Sequence, residues 1–271
     1  MEIYGKSSKF DVKAVFADYA RGLKYRSLWM AFAANEIQAR YRRSILGLAW
    51  IVISYLMLVC AIALFFGGFS QKSQLDFVFY VAIGYAGFQY IVGNISDGCE
   101  VFRASSAWIK STPLPYSVYV YIRIVRSVFP FLLHMATALT VMALMGWRPD
   151  WGALYVFPAL AIFLFVSPPI QMVFGLIATR WEDISHLVAA VTRLLFFLTP
   201  VMWVYDEQGG LRYYVATANP VTHFLEIFRA PLLGQPFPFE SWWFVLGFTV
   251  AIWAAAIIVG ALMRRRLPFW L

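Results

Sequence analysis

The chain has 271 residues, of which 62% are hydrophobic and 13% charged, and its 22 Lys and Arg outnumber 14 Asp and Glu for a net charge of +8. A soluble domain carries about a quarter charged residues, and here the charges leave long stretches altogether and crowd between them. This excludes an ordinary soluble domain, and it excludes nucleic acid as partner: the basic residues flank apolar stretches, where they meet anionic lipid head groups.

In chain order, the first 25 residues are polar and basic with no apolar core, so they read as retained sequence and not a cleaved signal. Gly5-Lys6-Ser7 lacks the upstream glycine and strand of a phosphate-binding loop. Asp11 reads as the N-cap of a helix carrying Val12, Val15, Phe16, Tyr19 and Leu23 at helical spacing. A second stripe, from Leu28 and Trp29 to Ile37 and Tyr41, ends in Arg40, Arg42 and Arg43. An apolar face, a Trp and a basic end describe a helix lying in the membrane interface.

Six apolar stretches follow, at 46–67, 77–96, 127–147, 151–179, 187–205 and 241–263. Each has about the 20 residues a helix needs to cross ~30 Å of hydrocarbon. The predicted fold is an all-α polytopic membrane protein with six transmembrane helices. It forms one domain over 1–271: an arm at 1–45, a membrane region at 46–263 and a tail at 264–271. Thr112-Pro113-Leu114-Pro115 stops a short helix in the loop after the second stretch. The segment 206–240 is too long and too apolar for a bare loop. Asn219-Pro220 reads there as N-cap and first helical residue, and one or two short re-entrant or interfacial helices are expected over 211–233.

Charge sets the orientation. Residues 1–45 hold nine Lys and Arg, and counting the even-numbered loops and the tail places 17 basic residues on one side against four on the other. The positive-inside rule makes both termini cytosolic.

The chemistry is sparse. No acidic residue lies within the six stretches, which disfavours ion-coupled carriage. Cys60 and Cys99 have no Cys or His at metal-ligand spacing. His134, His186 and His223 are scattered, so no catalytic cluster and no metal site is expected. Arg193 interrupts the fifth stretch. It is costly there unless it snorkels, pairs with Glu182 or Asp183, or faces water or an anionic cargo. Arg123 and Arg126 stand one turn apart at the head of the third stretch, where snorkelling or ligand contact would each satisfy them. Aromatic side chains such as Tyr80, Tyr85, Phe88 and Tyr90 serve packing, and rings lining a channel also suit the faces of sugars.

Residues Arg40-Tyr41-Arg42-Arg43-Ser44-Ile45-Leu46-Gly47-Leu48-Ala49-Trp50 resemble the junction of interface helix and first span in ABC-2 type export permeases for surface polysaccharides, the O-antigen, capsule and teichoic-acid exporters. Arg180-Trp181-Glu182-Asp183-Ile184, Leu198-Thr199-Pro200-Val201, Asn219-Pro220, Phe228-Arg229, Leu232-Leu233-Gly234 and Arg265-Arg266-Leu267-Pro268-Phe269-Trp270 follow in that family's order. The likeness runs over about 28–270 and departs at Glu182, where the family often has a basic residue.

The resemblance implies a transport subunit of the bacterial inner membrane that is not itself an enzyme. It would work as a homodimer with two copies of a separate ATPase, which binds ATP-Mg; this chain would hold no cofactor. The cargo would be a polysaccharide on undecaprenyl pyrophosphate or a similar lipid. Arg40, Arg42, Arg43, Leu46, Gly47 and Arg193 would meet the lipid head group. Glu100, Phe102, Arg103, Trp108 and Lys110, in the loop 97–115, would couple to the ATPase. Asn219, Pro220, Phe224 and Phe228 would form an external gate. A permease for lipids or drugs, or a membrane enzyme or scaffold, are the alternatives.

Overall fold

A computed structural model describes residues 11–42, 44–70, 72–205 and 210–271, and every regular element among them is helical. The arm forms α1 (Val12–Lys24) and α2 (Arg26–Tyr41). Asp11 does cap α1, accepting from the Ala14 amide at 3.0 Å. Next come α3 (Ala49–Phe66), α4 (Gln74–Glu100), the six-residue α5 (Ser106–Ser111) and α6 (Tyr116–Leu144). The chain continues with α7 (Val156–Arg180), α8 (Asp183–Leu198), α9 (Leu211–Ala218), α10 (Pro220–Leu232), α11 (Phe239–Met263) and the short α12 (Leu267–Trp270).

Five helical stretches among the described residues, containing α3, α4, α6, α7 and α11, are long and apolar enough to cross a membrane. The protein is a multi-pass membrane protein. The fifth apolar stretch differs from its expected form. It begins earlier, at Asp183, and ends at Leu198, because the following extended Thr199 leads into Pro200, which cannot continue a helix. Its 16 residues rise only about 24 Å. The third differs in the other direction: α6 starts at Tyr116, right after Pro115, and carries Arg123 and Arg126 as helical residues. The segment after α8 forms two short helices, α9 and α10, within the range the sequence suggests.

α4 is the hub of the bundle, lying against α3, α6, α7, α8 and α10. α7 packs on its other side, against α6, α10 and α11. Close approach of α4 and α7 depends on absent side chains. A Cβ on Gly98 would stand 3.0 Å from the Gln171 Cα, and one on Gly175 would stand 3.0 Å from the Gly98 carbonyl oxygen. Between them Gln171 donates to the Asn94 side chain at 2.8 Å, and Tyr90 bonds Ser167 at 2.9 Å. These bonds satisfy polar groups that hydrocarbon cannot.

α3 and α8 flank α4 with much of their surface uncovered. Met57, Leu64 and Phe65 of α3, and Leu187, Leu194 and Phe197 of α8, are exposed. The arm is fixed to the bundle at the other side: α1 lies across α6 and α11, and α2 runs along α6. The ends of α4, α7 and α11 and the starts of α6 and α8 thus share one end of the molecule, here called the basic end.

Candidate functional site

At the basic end one buried carboxylate holds three helices together. Asp18 of α1, 3% exposed, accepts from the backbone amides of Tyr116 at 3.2 Å and Ser117 at 2.9 Å. These are orphan donors of the first turn of α6, so Asp18 caps a helix from another element. Arg264, after α11, reaches the same carboxylate at 3.2 Å. Beside it, burial and then the neighbouring Tyr121 and Asp18 push the Tyr19 phenol up, so it stays neutral.

On the α2 side, Arg126 joins Glu36 of α2 at 3.3 Å to Asp97 of α4 at 2.9 Å, and Ser127 adds a second bond to Asp97. Arg123 is buried next to this pair. From the last turn of α2 onward the expected head-group residues stand out from the bundle. Arg40 and Arg42 are exposed, as is Leu46, and Gly47 turns the chain into α3 with φ of +52°, a conformation that favours glycine. Arg43 lies outside the described residues.

The expected coupling residues gather at the α4–α5 corner. Val101 and Phe102 are fully buried against Leu176 of α7, so Phe102 is an anchor of the corner. Trp108 of α5 is half exposed and sets its ring edge-on to Phe32 of α2 at 4.8 Å, and Lys110 is exposed. Arg103 bonds Glu100 at 2.6 Å, Glu182 at 3.2 Å and the Ser185 hydroxyl. It thereby ties this corner to the start of α8.

Deeper in the bundle α3, α4, α6 and α8 carry an aromatic seam. His134 stacks on Tyr55 at 4.7 Å, Tyr55 on Tyr85 at 5.9 Å, and Phe196 of α8 meets Tyr85 and Phe88 at 6.1 and 5.5 Å. Of the four aromatics suggested for a channel, Tyr80, Phe88 and Tyr90 are buried in the core, and Tyr85 keeps a partly open face. Next to Tyr85 stands a residue that sequence reasoning missed: exposed Gln89, which donates to the Tyr85 hydroxyl at 2.5 Å. Arg193 lies one turn from Phe196, as Gln89 lies one turn from Tyr85, both displaced toward the basic end. Arg193 is exposed and has no ion pair or hydrogen bond among the described residues. The structure therefore pairs Tyr85 with Gln89 on a partly open face of α4, and leaves Arg193 exposed on the neighbouring α8.

At the opposite end, the residues suggested for a gate are built into the core. Asn219 caps α10, accepting from the Val221 amide at 3.0 Å and donating to Thr199 at 2.8 Å. Pro220 follows as first helical residue. Phe224 and Phe228 pack on Phe163 at 5.9 and 5.3 Å. Arg229, counted from sequence as an external charge, is wholly buried. It pairs with Glu226 at 2.5 Å, donates to the Pro200 carbonyl at 2.9 Å and lies 3.6 Å from the Tyr80 ring centre. Its spacing of three from Glu226 was the only hint in the sequence. Between α3 and α9 a cavity of about 1000 Å³ opens, lined by Phe66, Phe69, Phe77, Phe197, Trp203 and Arg212 among others.

The model of the ABC-2 type transporter family fits residues 27–233. O-antigen export system permease protein RfbA of Myxococcus xanthus is 22% identical over 242 residues, 87% of this chain and 92% of that protein. A Klebsiella pneumoniae protein of the same name is 21% identical over 233 residues, 85% of this chain and 90% of its own length. Since the family model covers three quarters of the chain, from α2 through α10 and including the spans of α3, α4, α6 and α7, the chain belongs to the ABC-2 type transporter family.

Proposed function

We propose that this chain is the permease subunit of an ATP-driven exporter that moves a lipid-linked surface polysaccharide, of the O-antigen kind, across the bacterial inner membrane. The observation that carries the reading is the near full-length match to two relatives whose names state O-antigen export. Tyr85 and Gln89 on a partly open face of α4, with exposed Arg193 on the neighbouring α8, support it. Hydroxyl, amide and guanidinium groups inside a membrane suit a hydrated glycan or its anionic anchor.

One copy offers only a wall. Two copies related by a two-fold axis, facing one another across α3 and α8, would enclose a path and cover the exposed apolar side chains of those helices. The basic end is the cytosolic one by its excess of Lys and Arg. There α5 would seat on a separate ATPase subunit that binds ATP and Mg²⁺. Arg40, Arg42 and Arg43 would hold the pyrophosphate of an undecaprenyl-type anchor through forked donors. Closure of the ATPase pair would rock α5 and the helices joined to it, which advances polymer along the path.

Deletion of the gene is expected to strip the surface glycan and to accumulate lipid-linked polymer inside the cell. Complementation by R193A with Q89A should restore the protein but only part of the export. An unchanged surface glycan in the deletion strain would refute the reading.

A further inference from the structure

We propose that Arg103 and Glu182 form a clasp that carries the movement of α5 into α8, which makes Glu182 a positioning residue for transport. The proposal rests on the export reading given above.

The argument starts with how unevenly the two sides of the clasp are held. Arg103 sits in the turn between α4 and α5. The adjoining Val101 and Phe102 are fully buried against α7. On the far side of α5, Trp108 touches Phe32 of α2. This corner therefore moves with α5 and the bundle core. α8 is different. Only Val188 and Thr192 along its length are buried, so few side chains resist a change in its tilt. At its start, Glu182 and Ser185 are bonded to Arg103, whose other partner is Glu100 on its own side of the corner.

Arg103 is thus the polar link between a well-packed corner and a lightly packed helix. Asp183 and His186 are the other titratable groups at the start of α8. His186 lines the open notch around the clasp together with Glu100, Arg103, Glu182 and Ser185. Eight residues beyond Ser185, about 12 Å along α8, stands Arg193. A displacement of the corner by the ATPase subunit tilts α8 through the clasp and moves Arg193 against the path.

An ion pair this open adds little to folding: the Glu182 side chain is 79% exposed and that of Arg103 25%. Breaking the clasp from the Glu182 side should leave the protein folded and able to stimulate ATP hydrolysis, while export fails. The test uses the full chain co-purified with its ATPase subunit and reconstituted in vesicles, with ATP hydrolysis and polymer export measured separately. E182R should lower export about tenfold with hydrolysis kept, and R103E should lower export at least as far. The double variant R103E/E182R, which restores opposite charges in reversed order, should recover most of the export.

Three results would overturn the clasp: single variants that export like wild type, a double variant as poor as the singles, or hydrolysis lost in step with export in E182R. The last would mean that the pair only docks the ATPase. A wild-type complex that hydrolyses ATP and moves no polymer would instead remove the export reading on which the clasp depends.

Discussion

Replacing Arg229 by Met keeps the bulk of the side chain and removes the charge. Three contacts are lost together: the bond to the Pro200 carbonyl at 2.9 Å, the pair with Glu226 at 2.5 Å and the face of Tyr80 at 3.6 Å. The larger penalty is what remains. The Glu226 side chain, 16% exposed, becomes a buried carboxylate without a partner, and breaking a buried pair in this way costs about 3–5 kcal/mol. The double variant R229M/E226M removes both charges. The Pro200 carbonyl keeps its bond from the Tyr80 hydroxyl at 3.0 Å, so the double variant should cost less, about 1.5–3 kcal/mol, the scale of one lost hydrogen bond to a charged group. Equilibrium unfolding in mixed micelles measures both. An R229M protein within about 1 kcal/mol of wild type, or a double variant no more stable than R229M, would refute the assignment of Arg229 as the tie between the end of α8 and α10.

Two further outcomes follow from packing. Gly175→Ala places a methyl 2.9 Å from the Phe102 ring and 3.0 Å from the Gly98 carbonyl, so it should separate α4 from α7 and cost about 1–3 kcal/mol by the same unfolding measurement. Asp18→Ala leaves the first turn of α6 uncapped and frees Arg264, for a loss of about 2–3 kcal/mol, the range for hydrogen bonds to a charged group. Protease cleavage within the arm, before Tyr25, should then become fast.

Legibility differed with the range of the interaction. The Asp11 cap and the Asn219-Pro220 helix start were readable because both bonds join residues two or three apart. The helical arm, the apolar spans and the two short helices before α11 were readable for the same reason, since hydropathy and capping act within a few residues. The site was less legible. Arg123 and Arg126 looked alike in sequence. In the fold Arg126 bridges α2 to α4, and Arg123 is buried at its side. Tyr80 and Tyr85 also looked alike, and five residues of helix separate a ring buried under Arg229 from one on an open face.

What the sequence by itself determined is the set of segments that must leave water, the caps and prolines that bound them, and the end of the molecule where positive charge collects. Hydrocarbon imposes these demands on each segment separately, whatever its neighbours. Only the tertiary structure decided the partners of the charges: that Asp18 caps a helix almost a hundred residues away, that Arg229 is a buried tie, that Arg103 reaches α8 and that Arg193 has no ion pair among the described residues. Those outcomes depend on which helix faces meet, and α4 and α7 meet as they do because Gly98 and Gly175 let two backbones touch.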